Sequence, residues 1–358
     1  MSEPEILFDI VEGVGRIVLN RPKALNALSL AKIGEMDRTL RGWADDPGVK
    51  AVIIEGAGNK AFCAGGDIRV LSDAARAGDD ATIRQFFRAE YTLDRLIKTF
   101  PKPYLAFLNG ITMGGGVGIS VHGSHRIATE NTLFAMPETG IGMIPDVGGT
   151  WFLPRCPGAV GLYLGLTGQR LKAADCLYAG IATHIVPAER LGDLEAGLCE
   201  AARRADDADR MWQAITDVLD VFHEDDEAPP LETHRAAIDA AFGQDSVESI
   251  LSALDGMDTE WSAQTAATLR GKSPTALKVA FRQLRAGLQL DFDQAMQMEF
   301  RLATRITRTP DFSEGVRAAI IDKDNAPRWS PDTLEDVDDD QVRAFFAPLG
   351  DGDELAFE

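Results

Sequence analysis

The stretch Gly110-Ile-Thr-Met-Gly-Gly-Gly-Val-Gly118 follows the apolar run Tyr104–Leu108, which has the length and composition of a buried strand. A second glycine cluster, Ala64-Gly65-Gly66-Asp67, follows the apolar run 51–54 through a loop. Neighbouring glycines let the backbone approach a ligand closely, and the free N–H groups at a helix start point outward. Two such groups converging on one oxygen would form an oxyanion hole, although tight strand-to-helix turns alone would show the same glycines.

The rest of the chain alternates strand-like and helical segments. A hairpin is predicted from Ile6–Val11 to 16–19, and a further strand at 132–136. Ser29 is placed to cap a helix with one apolar stripe. The stripe consists of Ile33, Met36, Leu40 and Trp43. Strands separated by helices predict an α/β core with much parallel pairing.

The composition limits the classes of partner. The chain of 358 residues has 36 Lys and Arg against 56 Asp and Glu, a formal net charge of −20. Long-range repulsion therefore disfavours nucleic acid and anionic membrane surfaces as partners. No apolar run reaches the roughly 18 residues of a membrane span, and the acidic start at 1–5 is unlike a secretion signal, so we expect a cytoplasmic protein.

A pair of carboxylates stands in one otherwise apolar loop, Pro137-Glu138 to Pro145-Asp146. Met136, Ile141 and Met143 surround them in sequence, so partial burial and a raised pKa are expected. A carboxylate in such a place can act as a base or as a nucleophile. A turn at Glu138 or a helix cap at Asp146 would also account for them.

Glu90 is a third acid in an unusual place. On the predicted helix 83–98 it shares an apolar stripe with Phe86, Leu93 and Ile97. A carboxylate that faces a core is rarely tolerated without a partner, although an edge residue with its head in water would fit the same spacing.

The histidines and cysteines indicate neither a metal centre nor a nucleophile. His122 and His125 are three residues apart, but no Asp or Glu set stands near them, so no metal site is predicted. The four cysteines form no Cys-x-x-Cys pair, and no Gly-x-Ser-x-Gly elbow is present.

Together these residues resemble the crotonase (enoyl-CoA hydratase/isomerase) superfamily, whose glycine-bearing loops hold the thioester oxygen of acyl-CoA substrates. The resemblance covers about residues 5 to 332, in the same order as in the family. The matching stretches are 20–28, Lys60-Ala-Phe-Cys-Ala-Gly-Gly-Asp-Ile68, 110–118, Phe134-Ala-Met-Pro-Glu-Thr-Gly-Ile-Gly142, Pro145-Asp-Val-Gly-Gly149 and 311–324. It implies an α/β fold with a spiral core of stacked ββα units and a C-terminal helical region.

The resemblance assigns roles to the residues singled out above. Gly66 and Gly115 match the two oxyanion-hole amides, and Glu138 matches the acid retained in the active site. Asp146 and Glu90 match a second carboxylate and a substrate-contacting glutamate in the branch of the superfamily that hydrolyses 3-hydroxyisobutyryl-CoA.

Position 118 favours that hydrolase branch. Enoyl-CoA hydratases carry a second catalytic glutamate three residues after the middle glycine of the Gly-Gly-Gly run, where this chain has Gly118. Hydratases also have a glycine where this chain has Asp146. The resemblance therefore implies hydrolysis of a short β-hydroxyacyl-CoA thioester in valine breakdown. The alternatives are a hydratase or isomerase of the same fold, if another residue compensates for Gly118, and a non-catalytic acyl-CoA-binding or RNA-binding relative.

The resemblance also implies how the substrate binds and how the chain is divided. The CoA adenine is expected near the backbone of Asp67, Ile68 and Arg69, with Lys23 and Ala24 close by. CoA is part of the substrate, so no separate cofactor is expected, and a homo-oligomer is compatible with the family. We predict a core at 1–200, a helical extension at 201–332 and an acidic, exposed C-terminal tail at 333–358.

Overall fold

The strands and helices are given for the part of the chain that the computed structural model describes, residues 4–225, 227–350 and 352–357. The strands are β1 (Ile6–Val11), β2 (Val14–Leu19), β3 (Ala51–Gly56), β4 (Ala61–Cys63), β5 (Tyr104–Leu108), β6 (Ile111–Met113), β7 (His125–Ala128), β8 (Leu133–Ala135) and β9 (His184–Ile185). The helices are α1 (Leu30–Asp45), α2 (Ile68–Ala77), α3 (Asp80–Lys98), α4 (Gly115–Val121), α5 (Gly149–Phe152), α6 (Val160–Thr167), α7 (Ala173–Tyr178), α8 (Leu191–Arg204), α9 (Ala208–Phe222), α10 (Pro230–Thr233), α11 (Arg235–Phe242), α12 (Val247–Asp255), α13 (Glu260–Arg270), α14 (Pro274–Gly287), α15 (Phe292–Ile306), α16 (Pro310–Val316) and α17 (Asp339–Phe346).

The strands form two sheets, of six strands in the order β1-β2-β3-β5-β7-β9 and of three in the order β4-β6-β8. The hairpin β1-β2 is antiparallel, and the pairs β2-β3, β3-β5, β5-β7 and β7-β9 are parallel. From β3 to β8, successive strands alternate between the sheets, so each repeat adds one strand to each. The predicted α/β core with stacked ββα units is confirmed.

The local signals of the sequence explain the first elements. The Ser29 side chain accepts a hydrogen bond from the backbone N–H of Lys32 and caps α1, and the predicted apolar stripe of that helix is buried. All five residues of β5 are buried, as a strand covered on both faces requires. Phe107 of β5 and Ile53 of β3 pack in one core with Leu198 of α8.

The chain forms two compact units that alternate along the sequence. The first, here called the sheet unit, comprises Met1–Gly66, Thr92–Phe134 and Leu171–Glu232. The second, the helical unit, comprises Asp67–Tyr91, Ala135–Arg170 and Thr233–Glu358. The linear division at residues 200 and 332 stays a prediction.

Most of the helical unit consists of helices with buried apolar faces. All eight residues of α6 are buried, and this helix packs against α11 and α14. Ser273 caps α14 by accepting from the N–H of Ala276, with Pro274 in the first turn, as its sequence predicts.

Most residues of the predicted acidic tail that the structure describes are exposed, as expected, but the segment also packs at a few places within the helical unit. Residues 351 and 358 of this segment lie outside the described residues. Leu355 is 1% exposed. Arg88 of α3 donates to the carbonyl oxygens of Asp353 and Glu354, and Arg301 of α15 donates to the Glu354 carboxylate. Two main-chain carbonyls and one carboxylate of this segment therefore contact α3 and α15, and a few of its apolar residues are buried.

Candidate active site

The two glycine clusters of the sheet unit lie against each other. Helix α4 begins at Gly115, after Gly114 with a φ of +50°. Gly65 has a φ of +114°, and a Cβ built on it would lie 3.6 Å from the Gly115 nitrogen, so the two glycine clusters touch. Across the described residues, no backbone carbonyl accepts from the N–H of Gly66 or Gly115. Both amides are thus available to an oxygen of a ligand, as an oxyanion hole requires.

The start of α4 also shows why glycine is needed beyond the amides. A Cβ on Gly116 would lie 2.2 Å from the Cys63 carbonyl oxygen at the end of β4. A Cβ on Gly118 would lie 2.6 Å from Oδ1 of Asp94, which is fully buried. The hydratase glutamate therefore has no room at position 118, because a carboxylate from α3 already fills that space.

A cluster of buried carboxylates lies in the helical unit. Glu90 on α3 is 3% exposed, Glu138 7% and Asp146 6%. Asp146 Oδ2 accepts a 2.7 Å hydrogen bond from the hydroxyl of Tyr91, the residue after Glu90. Within the described part of the chain, Oε1 of Glu90 and Oε2 of Glu138 have no hydrogen-bond partner. Buried carboxylate oxygens without partners are costly for folding and are typical of groups kept for a ligand.

Burial and mutual repulsion set the proton affinities of this cluster. Burial raises the pKa of Glu90 well above its usual range, and the Asp146 charge adds to it. The same two causes raise the pKa of Glu138, which Lys272 partly offsets. Burial raises the pKa of Asp146 to about 6, although the Tyr91 hydrogen bond favours its charged form. Asp146 can therefore exchange a proton near neutral pH, beside two carboxyl groups that hold their protons more tightly than usual.

Local structure places Glu138 and Asp146 on one loop. Glu138 opens the 3₁₀ turn Glu138–Ile141, and its carbonyl accepts from the N–H of Met143. A Cβ on Gly140 would lie 3.2 Å from the Lys272 ammonium, so this cation lies over the turn. The loop then runs through Asp146 into α5.

Tyr91, Lys272 and Glu299 are site residues that sequence reasoning missed. Both carboxylate oxygens of Glu299 accept from backbone amides of the Asp146 loop. Glu299 stands on the buried face of α15 between Met296 and Phe300, so the signal that singled out Glu90 could have found it. Nothing local in the sequence marks Tyr91 or Lys272.

The predicted CoA-binding residues are distributed over both units. Lys23 and Ala24 lie in the 3₁₀ turn Pro22–Ala24 of the sheet unit. Asp67, Ile68 and Arg69 begin α2 in the helical unit, and the Arg69 side chain donates to the Ile320 carbonyl. Their role in binding CoA stays a prediction.

Three of the five histidines pack against one another. The rings of His125 and His184 are 6.1 Å apart, and those of His184 and His223 are 5.5 Å apart. Burial lowers the pKa of His125 to about 4, and the neighbouring His184 adds to this. In the part of the chain that the structure describes, no three His, Cys, Asp or Glu side chains are grouped to hold a metal ion.

Comparison with known proteins decides the family. The model of the enoyl-CoA hydratase/isomerase family matches residues 14–346. The chain belongs to this family. The resemblance inferred from the glycine clusters and the carboxylate loop is therefore confirmed.

Individual members of the enoyl-CoA hydratase/isomerase family are similar over nearly their whole length. The mitochondrial 3-hydroxyisobutyryl-CoA hydrolase of Xenopus tropicalis is 47% identical over 358 residues, which is 99% of this chain and 91% of that protein. A crystal structure of a carnitinyl-CoA dehydratase from Mycobacterium thermoresistibile matches with a TM-score of 0.91 and 36% identity, over 99% of both chains. An enoyl-CoA hydratase from Rhodobacter sphaeroides matches with a TM-score of 0.88 and 40% identity, over 99% of this chain and 100% of that one.

Proposed function

We propose that this protein hydrolyses a short β-hydroxyacyl-CoA thioester, foremost 3-hydroxyisobutyryl-CoA, to 3-hydroxyisobutyrate and free CoA in valine catabolism. The observation that carries the proposal is the buried carboxylate of Asp146. It lies on the same loop as Glu138 and accepts a hydrogen bond from Tyr91 of α3. The 47% identity to a hydrolase of that name over 99% of the chain supports the substrate.

The chemistry of a thioester suits these groups. The CoA thiol has a pKa near the roughly 8.5 of a free cysteine and leaves as a thiolate with little help from an acid. The enzyme must therefore supply attack and stabilise the negative charge on the carbonyl oxygen. In our proposal the N–H groups of Gly66 and Gly115 bind that oxygen, a task worth roughly 2.7 to 4 kcal/mol per donor in the transition state.

Glu138 has two routes to the products. As a base it takes a proton from water, whose oxygen bonds to the carbonyl carbon while the carbon–sulfur bond breaks. As a nucleophile it forms a mixed anhydride and releases CoA thiolate, and water then cleaves the anhydride. Burial and the Asp146 charge raise the pKa of Glu138, so its ionised carboxylate is a stronger base than an exposed one. Asp146 positions the water or the 3-hydroxyl group, and Glu90 binds that hydroxyl.

The CoA part of the substrate must be bound by short-range contacts, because a chain of net charge −20 repels a polyanionic ligand at long range. We assign this to the backbone around Asp67 and Ile68, with Ala24 and the cations Lys23 and Arg69. Water and the thioester suffice for the reaction, so no further cofactor is proposed.

Release of free thiol from 3-hydroxyisobutyryl-CoA, measured beside release from 3-hydroxypropionyl-CoA and beside hydration of crotonyl-CoA, tests the proposal. We expect rapid thiol release from the first substrate and no hydration of the third. Glu138→Gln should abolish release. Full activity of this variant would overturn the assignment of Glu138, and hydration without thiol release would overturn the function. Single turnover in oxygen-18 water separates the two routes, because only the anhydride transfers the label to the protein.

One observation keeps hydration as the second candidate. Asp94 places a buried carboxylate against Gly118, and this is the kind of compensation that a hydratase without a glutamate at 118 would need. If crotonyl-CoA is hydrated, Asp94→Asn should stop that reaction while leaving the binding of CoA intact.

The proposals for cellular location and assembly rest on the sequence alone. In the described residues, no helix is both long and apolar enough to cross a membrane. We propose a cytoplasmic enzyme for which a homo-oligomer is possible, while the Xenopus tropicalis relative is named mitochondrial. Fractionation and light scattering test the two points.

A further inference from the structure

The loop that carries Asp146 is buried but has little regular structure. Val147 has a φ of +50° and Gly148 a φ of +87°, which places a β-branched residue in the left-handed region. Such a conformation persists only where surrounding contacts enforce it. Buried backbone groups of a loop also need partners, so the side chains that supply them determine its shape.

Two side chains from distant helices supply these partners. Glu299 of α15 accepts from the N–H of Gly148 with Oε2 and from that of Thr150 with Oε1, both at 2.7 Å. Gln283 of α14 donates from Nε2 to the Pro145 carbonyl and to the Thr150 hydroxyl, both at 2.8 Å. Glu299 and Gln283 are fully buried. Together they hydrogen-bond to the chain on both sides of Asp146 and Val147.

We propose that Glu299 is a positioning residue for the hydrolysis: by holding the amides of Gly148 and Thr150 it fixes the left-handed turn at Val147 and so aims the Asp146 carboxylate. This inference rests on the proposed function. Gln283 holds the same turn through its hydrogen bonds to Pro145 and Thr150. Glu299 itself contacts neither substrate nor water in this role and acts only through Asp146.

The chemistry of the contact explains why a carboxylate is needed here. Each of its oxygens accepts one amide N–H, whereas a glutamine would turn its NH₂ group toward one of those donors. The ionisable groups that face Glu299 are Asp146 of the loop and Tyr91 of α3. Burial and the Asp146 charge raise the pKa of Glu299 to about 8, and the two amides act against this. Burying a second carboxyl group beside Asp146 costs folding free energy. An apolar side chain at position 299 would avoid this cost but could not accept the two amide hydrogen bonds.

A double-mutant cycle separates positioning from a merely structural role. We expect Glu299→Gln to lower kcat for 3-hydroxyisobutyryl-CoA on the order of 10- to 100-fold, with KM nearly unchanged. Asp146→Asn should lower kcat as well. If Glu299 acts only through Asp146, the double variant is no slower than Asp146→Asn alone, since effects on one functional unit are not additive. Losses that multiply in the double variant would overturn the inference.

A replacement variant and a control variant complete the double-mutant cycle. If Glu299→Gln does not fold, as judged by circular dichroism and CoA binding, Gln283→Met replaces it in the same cycle with the same expected non-additivity. Glu248→Gln, which removes a carboxylate paired with Lys278 on the surface, should leave kcat unchanged. A wild-type enzyme that releases no thiol would refute the proposed function. An active wild type with multiplicative losses would refute only the role of Glu299.

Discussion

The hydroxyl of Tyr91 donates a 2.7 Å hydrogen bond to Oδ2 of Asp146, and both side chains are buried. A hydrogen bond to a carboxylate stabilises its charged form. This bond therefore opposes the burial that raises the Asp146 pKa to about 6. The hydrogen bond from Tyr91 therefore helps to keep Asp146 ionised at neutral pH.

Replacing Tyr91 by Phe should move the acidic limb of the pH–rate profile. The wild-type rate should fall as pH drops through about 6, because Asp146 becomes protonated. In Tyr91→Phe the Asp146 pKa rises, so the fall begins at higher pH. The logarithm of kcat, measured from pH 5 to 8, gives the shift.

Tyr104→Phe is the matched control, since its hydroxyl donates to the Ile119 carbonyl in the sheet unit. It removes a buried hydroxyl without touching Asp146. An unchanged limb in Tyr91→Phe, or an equal shift in both variants, would contradict the role of Tyr91.

Glu90→Gln should make the protein more stable and less active. The folded state binds the Glu90 proton more tightly than the unfolded state, in which its pKa is near 4.5. Wild-type stability is therefore lost as pH rises from about 4.5 toward the raised pKa of the folded state. Removing the charge should add about 1 kcal/mol at neutral pH, as replacement of a strained functional group commonly does.

Denaturant unfolding at pH 7 and pH 5 measures this gain. The difference between Glu90→Gln and wild type should shrink at pH 5, where wild-type Glu90 holds its proton in both states to a greater extent. A difference that is larger at pH 5 would contradict the buried, repelled carboxylate.

Gly118→Ala should destabilise the sheet unit. Its Cβ would lie 2.6 Å from Asp94 Oδ1, and crowding of this kind in a packed interior costs about 1 to 3 kcal/mol. Unfolding free energies give the loss. The added substitution Asp94→Ala should recover part of it.

Gly42→Ala serves as the control, because a Cβ there meets nothing within 4 Å on helix α1. An exposed helical glycine replaced by alanine should gain about 0.5 to 1 kcal/mol. Equal effects at 42 and 118 would show that Asp94 does not fill the space beside Gly118.

Much of the fold could be predicted from local signals, whereas the contacts of the site could not. The Ser29 cap, the run Tyr104–Leu108 and the burial of Glu90 depend on neighbouring residues or on helical spacing. The Tyr91–Asp146 bond joins residues 55 apart, and that of Glu299 with Gly148 residues 151 apart. Such pairings depend on how helices pack, and a single sequence does not encode them in any short pattern.

Loss of the contacts between α3 and the C-terminal segment of the chain should lower activity, although these contacts involve no substrate group. Arg88 donates to the carbonyls of Asp353 and Glu354, and Glu90 and Tyr91 lie within one turn of it on α3. Arg88→Met should reduce kcat severalfold and lower the melting temperature. Arg38→Met, which removes an exposed arginine of α1, should do neither. A normal kcat in Arg88→Met would show that α3 is held without these contacts.

The same contacts have a consequence for biosynthesis. Arg88 and its acceptors are separated by 265 and 266 residues of chain. During translation α3 therefore leaves the ribosome long before its partners exist, while the β5 strand just behind it can already pair with β3. Until then α3 lacks its contacts with the C-terminal segment, so newly made enzyme should reach full activity only after synthesis has passed residue 354.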